Sequence, residues 1–170
     1  MREFERAIER FVRGKTCFVG MGNYLRRDDA AGLHLAEGLK GVADGRIMVM
    51  IVEDVVESYT FDIARCDAED VVFIDAVRTG EAAGTVIFGR LNEFGEVMND
   101  YSTHKCSLLL TCRVLEAHGK RAWLLGIEAG DTDYGEGISE RVRSSIEHLR
   151  DIIRSYVYVY RDNKELVYEH

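Results

Sequence analysis

The sequence has no proline, no C-x-x-C pair, no long apolar run and no concentrated basic patch. Without proline one of the usual boundary markers is missing, so element limits rest on glycine and on periodicity. The four cysteines are Cys17, Cys66, Cys106 and Cys112. Cys106 and Cys112 stand six apart, on poorly matched faces of one helical stretch and too far apart for a bridge. All four therefore read as reduced, mostly buried small hydrophobes, as in a reducing compartment. No stretch approaches the roughly 18 apolar residues that span a bilayer. The opening MREFERAIERFVRGK mixes charges of both signs and lacks the apolar core of a signal peptide. A cytoplasmic location with no membrane partner is the expectation. The net charge of −8 argues against a nucleic-acid partner, which would need clustered cations to meet phosphates. Arg26-Arg27 and Lys120-Arg121 are too small to reverse it, and the acidic surface serves solubility.

What is present is the material of one ordinary domain. The chain has 170 residues, 46% hydrophobic and 31% charged, enough to bury a core. No linker, internal repeat or low-complexity segment divides it, so residues 1–170 read as a single α/β domain.

The pivotal stretch is TCFVGMGNYLRRDDAAGLHLAEGLK, residues 16–40. An uncharged apolar run ends in Gly20-Met21-Gly22-Asn23, a buried strand entering a tight turn. Ala31, Leu35 and Leu39 then recur at helical spacing. Asp28 and Asp29 stand just before that helix. They are either compensation for its positive end or carboxylates held at the mouth of a strand–loop–helix crevice, where open α/β sheets keep their sites.

Phe4, Ala7, Ile8 and Phe11 predict an amphipathic helix over 2–12 that packs on the body. IMVMIV (47–52), apolar on both faces, predicts an interior parallel strand, followed by Glu53-Asp54-Val55-Val56 and a short helix near 59–65. VVFIDAV (71–77) predicts a third strand. GTVIFG (84–89) follows too closely for a crossover helix, which predicts an antiparallel edge strand. A helix capped by Ser102 or Thr103 runs to about Ala117, with Leu108, Cys112 and Leu115 on one face. AWLLGI (122–127) is the fifth strand, and EAGDTDYGEG (128–137) is a long acidic loop. Ser139 caps a last helix with Val142, Ile146, Leu149 and Ile153 inward. The alternating tail predicts a hairpin over 157–170, an edge or interface feature where a homodimer could form. Strands alternating with helices imply a three-layer sandwich, a mostly parallel five-stranded sheet with one antiparallel edge strand and helices on both faces.

Asp75 interrupts an apolar strand, where an unpaired buried carboxylate costs several kcal/mol. It is either a loop-capping residue at a strand end or a group presented at the carboxyl edge of the sheet. His104 stands in the first turn of its helix, where the dipole keeps an imidazole neutral. It reads as a satisfied core histidine or as a ligand. Asp29, Asp75 and His104 together would give an O,O,N donor set suited to a divalent first-row metal with an open position.

The chain resembles a known family at this point. GMGNYLRRDDAAG (20–32) is similar to the G-(V/I)-G-N-x-(L/M)-x-x-D-(D/E)-x-x-G signature of hydrogenase maturation endopeptidases. VVFIDAV resembles the family's strand ending in Asp-Ala, STHKCSL (102–108) its Ser-x-His motif, and LLGIEAGDTDYGEGIS (124–139) its late loop. The order agrees over roughly residues 16–153. The resemblance implies a cytoplasmic endopeptidase that trims the C-terminus of the large-subunit precursor of a nickel–iron hydrogenase. It also implies that Asp29, Asp75 and His104 contact nickel carried by that precursor, with no tightly held metal of the enzyme's own. Asp28 and Asn23 are then supporting residues that orient the loop. No H-E-x-x-H is present, which argues against a self-contained zinc protease. The resemblance breaks at Glu53-Asp54-Val55-Val56, where the family carries Asp-Gly-Gly, and at Ala129, where it carries proline. Two other readings remain: a factor that binds a hydrogenase precursor without cutting it, and a nucleotide-binding domain. The second is weakened because Leu25 replaces the third glycine of G-x-G-x-x-G.

Overall fold

The computed structural model describes residues 2–94 and 105–168. Its elements are α1 (Arg2–Arg13), β1 (Thr16–Met21), a 3-10 turn (Arg27–Ala30), α2 (Ala31–Leu39), β2 (Ile47–Glu53), α3 (Val56–Arg65), β3 (Asp70–Val77), β4 (Val86–Arg90), α4 (Lys105–Ala117), β5 (Arg121–Glu128) and α5 (Glu140–Tyr168). The sheet order is β2-β1-β3-β5-β4. β1 runs parallel to β2 and β3, β3 runs parallel to β5, and β4 pairs antiparallel with β5 at the edge. The mostly parallel sheet and its antiparallel edge strand are therefore as the residue pattern implies.

Alternation along β3 divides the core into two. Val72, Ile74 and Ala76 face a cluster built with α1, α2 and α5, including Phe11, Leu35, Leu39, Ile146 and Ile153. Val71 and Phe73 face the opposite cluster, with Val56 and Ile63 of α3 and Leu108 and Leu115 of α4. A hydroxyl–hydroxyl bond of 2.7 Å, Thr60 Oγ1 to Thr111 Oγ1, ties α3 to α4. The chain leaves β1 for β2 through α2 on one face and returns to β3 through α3 on the other. The direction of strand addition thus reverses between β1 and β3, and their carboxyl ends form the switch point.

Two expectations are corrected. IMVMIV is not an interior strand: among the described residues β2 pairs only with β1 and forms an outer edge, with Met48 to Ile51 half-buried. Apolar character on both faces reports that helices cover both faces, and says nothing about how many edges are hydrogen-bonded. The tail is not a hairpin either, because α5 continues through Tyr168. Buried Leu149, Ile153 and Val157 keep helical spacing, while Tyr158 and Val159 are exposed. Arg161 then pins this part of α5 by donating to the Val42 carbonyl and to Asp44 at 2.7 and 2.9 Å. The supposed turn, Arg161-Asp162-Asn163-Lys164, lacks a glycine to take positive φ, so nothing in it stops a helix. The dimer contact attached to the hairpin loses its basis.

At the amino edge of the sheet Asp70, 1% exposed, accepts from Arg10, Arg121 and Trp123 at 2.8–3.2 Å. Burial alone would raise its carboxyl, but the Arg121 and Trp123 bonds and the Arg10 and Arg121 charges hold it below the ordinary carboxylate range. A depressed native pKa contributes stability that is present above the unfolded value, about 3.9, and lost as pH falls through the native one. Asp70→Asn is expected to cost about 3 kcal/mol near neutrality. In urea melts that difference should shrink below pH 4. An unchanged difference at pH 3 would sink the assignment.

Candidate active site

The switch point is built by close backbone approach. Gly22 has φ +129°, and a Cβ there would lie 1.9 Å from the Asp29 carbonyl oxygen. A Cβ on Gly32 would lie 2.1 Å from the Ile74 carbonyl oxygen and 2.6 Å from that of Met21. Glycine at both positions lets the first turn of α2 rest directly on the ends of β1 and β3. Asn23 turns the chain between them, its Oδ1 accepting from Leu25 N–H at 2.9 Å, which fits the supporting role expected of it.

Neither aspartate caps α2. Its N-cap is Ala30, with no side-chain capping bond. Asp28 is instead fully buried and turned to the late loop. Its carboxylate accepts from the backbone N–H of Gly130, Asp131 and Ser139 at 2.7–3.0 Å, and from the Ser139 hydroxyl at 2.9 Å. Backbone bonds reinforce the contact: Asp28 N–H donates to the Asp131 carbonyl, Arg27 N–H to Gly135, and Gly135 N–H to Leu25. The Arg27 guanidinium pairs with Asp131. The Asp133 N–H bond, and after it that pair, keeps the Asp131 carboxyl below its ordinary value. Loops a hundred residues apart in sequence thus form one rigid rim.

Glu128, at the end of β5 and 3% exposed, holds the next loop. Its carboxylate accepts from Thr79 N–H, the Thr79 hydroxyl and Gly80 N–H at 2.7–3.0 Å. Sequence reasoning had no signal for these acceptor roles of Asp28 and Glu128, since their donors are mostly backbone N–H groups.

Of the three candidate contact residues, two come to the same edge. Asp29 is half-buried on the 3-10 turn, which packs on β3. Asp75 is 1% exposed, third from the carboxyl end of β3, and shares the parity of Val71 and Phe73. It therefore belongs to the face covered by α3 and α4. His104 lies outside the described residues, which resume at Lys105. Among the described residues no group of three His, Cys, Asp or Glu side chains is placed to hold a metal ion. The same residues contain no helix long and apolar enough to cross a membrane.

The fold and this edge define a class: a three-layer α/β sandwich with the Asp29 turn packed on β3, the strand of Asp75, at the β1/β3 switch point. No family model matches the chain, and no curated protein matches it. Solved structures do. One is a NiFe hydrogenase maturation protease, HycI from Thermococcus kodakarensis KOD1, at 26% identity and a TM-score of 0.74, covering 89% of this chain and 99% of that one. The hydrogenase maturating endopeptidase HybD from E. coli shares the fold at 19% identity and a TM-score of 0.70, covering 88% and 93%. HybD from Thermococcus kodakarensis does so at 22% and 0.66, covering 84% and 99%. The chain therefore shares its fold with hydrogenase maturation proteases and is similar in sequence to one of them over nearly the whole of that protein.

Proposed function

We propose that this chain removes a C-terminal extension from the large-subunit precursor of a nickel–iron hydrogenase once nickel has been inserted. The observation that supports it best is the packing of the Asp29 turn against β3, the strand that carries Asp75. In this reading nickel belongs to the substrate. Asp29 and Asp75 supply carboxylate oxygens and His104 an imidazole nitrogen to its coordination. A first-row divalent ion accepts that mixture, and as a Lewis acid it would polarise a carbonyl or activate water beside the scissile bond. Requiring the ion for cleavage makes the cut report completed insertion. The cleft of about 510 Å3 beside Leu25, His34 and Ile138 offers the precursor tail a partly apolar floor. The proposal locates the reaction in the cytoplasm.

A second reading, a binding factor that has lost cleavage, is favoured by one feature. Glu53 holds φ +50° where the family has a glycine-bearing loop, a conformation costing a non-glycine residue about 1 kcal/mol. The chain after β2 therefore presents carboxylates and Val55 to an incoming tail.

Co-incubation with nickel-loaded and nickel-free precursor, read by intact mass, separates these. Loss of a C-terminal peptide only from the loaded form is the expected outcome. Equal cutting of both forms would overturn the nickel requirement. A stable complex with uncut precursor would favour the binding factor.

A further inference from the structure

The cleft of about 510 Å3 is built by four parts of the chain: the turn after β1, α2, the late loop and α5. Two of these also form the rim at the candidate site, where Gly135 N–H donates to the Leu25 carbonyl at 2.9 Å. Leu25 stands only four residues before Asp29, so the cleft continues directly from that site. Leu25, Ile138 and Ile146 supply its apolar surface; Leu25 is 48% exposed and Ile146 is buried. Tyr24 and His34 form one wall, their rings edge to face at 5.8 Å.

Four charged side chains line the same cleft: Glu136, Arg143, Glu147 and Arg150. The first three are exposed, where water and salt screen them. Arg143 is also turned to the Ile138 carbonyl and to Glu140. Arg150 differs, with a side chain only 33% exposed. Its stem crosses to α2 and lies against Gly38, where an added Cβ would come within 3.0 Å of Cδ and 3.3 Å of Cγ. Its Nε donates to Asp151 at 2.9 Å. Among the described residues neither terminal amino group of Arg150 forms a hydrogen bond. A guanidinium fixed at its stem and at Nε, with its outer N–H groups unused, is suited to receive a carboxylate.

We propose that this cleft receives the free end of the precursor's extension, the terminal carboxylate on Arg150 and an apolar last side chain on Leu25, Ile138 and Ile146. The inference rests on the proposed processing function. Any C-terminal extension, whatever its sequence, ends in an α-carboxylate, and a positioned cation beside apolar surface recognises that end. The residues cut away thus act as a handle, held at the nickel by one end and across the rim by the other. Anchorage at both ends fixes the direction of the tail and its length between Arg150 and the Asp29 turn. An internal segment carries no charge of its backbone at that place, so this contact selects the end of a chain over its interior.

The test gives the full chain nickel-loaded precursor with its own end, and the same precursor lengthened by Gly-Ser-Gly-Ser, which moves the carboxylate away. Lengthening is expected to raise KM about 10-fold, the effect of one charge-assisted bond. The change in kcat should stay under about two-fold, as when only uniform binding is lost. Arg150→Gln should raise KM for the unlengthened precursor by a like factor and make the added residues indifferent. Affinity for nickel-free precursor, read by surface plasmon resonance, should fall in parallel, and that comparison needs neither cutting nor a variant that folds. Equal KM and equal affinity for the two precursors would overturn the inference. A larger loss with Glu147→Gln than with Arg150→Gln would do so too, because the cleft would then be reading a cation. Failure to cut either loaded precursor would instead sink the processing function, and the affinity comparison would still decide the contact at Arg150.

Discussion

Replacing Asp75 by Asn is expected to cut processing of nickel-loaded precursor by more than about 100-fold while leaving the fold in place. The substitution keeps size and polarity but exchanges a carboxylate oxygen for an amide. Loss of a group that merely supports a metal's ligands costs about 10–100-fold, so loss of a contact residue should exceed that. Asp75 sits at the carboxyl end of a strand buried along its whole length, and the exchange changes no packing volume there. The measurement is a time course of precursor mass, with circular dichroism of the variant alongside. Processing within a few fold of wild type would remove Asp75 from the reaction.

The second large effect is expected at Asp28, and it is mainly one of stability. Asp28→Ala strands the N–H groups of Gly130, Asp131 and Ser139 and the Ser139 hydroxyl away from their acceptor. A fully buried donor left unmet costs about 1–3 kcal/mol, and these four are part-buried. Partial relaxation and entry of water should leave a net loss of about 4 kcal/mol, at the exceptional end for one substitution. Processing should fall too, because Asp29 follows directly on the same turn. Asp28→Asn should lie between, since it keeps one acceptor oxygen but turns an amide N–H2 toward existing donors. A urea-midpoint shift equivalent to less than about 1 kcal/mol would show that the rim does not depend on this carboxylate.

Much of the architecture was legible because it follows from side-chain periodicity. Ala31, Leu35 and Leu39, then Val142, Ile146, Leu149 and Ile153, carry the helical stripe that the core uses. The short gap between β3 and β4 forced the antiparallel edge. The errors share a cause. IMVMIV and YVYVY display local apolar content, but pairing partners and helix continuation are set by what lies outside the window. Of the candidate site, Asp75 could be read as a carboxylate where the pattern wanted none, and Asp29 as one of two acids at a helix start. The work of Asp28 and Glu128 could not, because backbone N–H groups have no letter in a sequence. Gly32 was visible as part of a motif, yet its reason, the Ile74 carbonyl against it, belongs to β3.

The shared rim bears on when the protein becomes competent during its own synthesis. Among the described residues, the Asp28 carboxylate accepts its bonds from residues 130–139, more than a hundred positions downstream. A ribosome that has released the first motif has therefore delivered only half of this arrangement. The emerging polypeptide must wait for the segment just ahead of α5 before Asp28 is satisfied. The order of translation thus delays completion of the rim until residues 130–139 have been made.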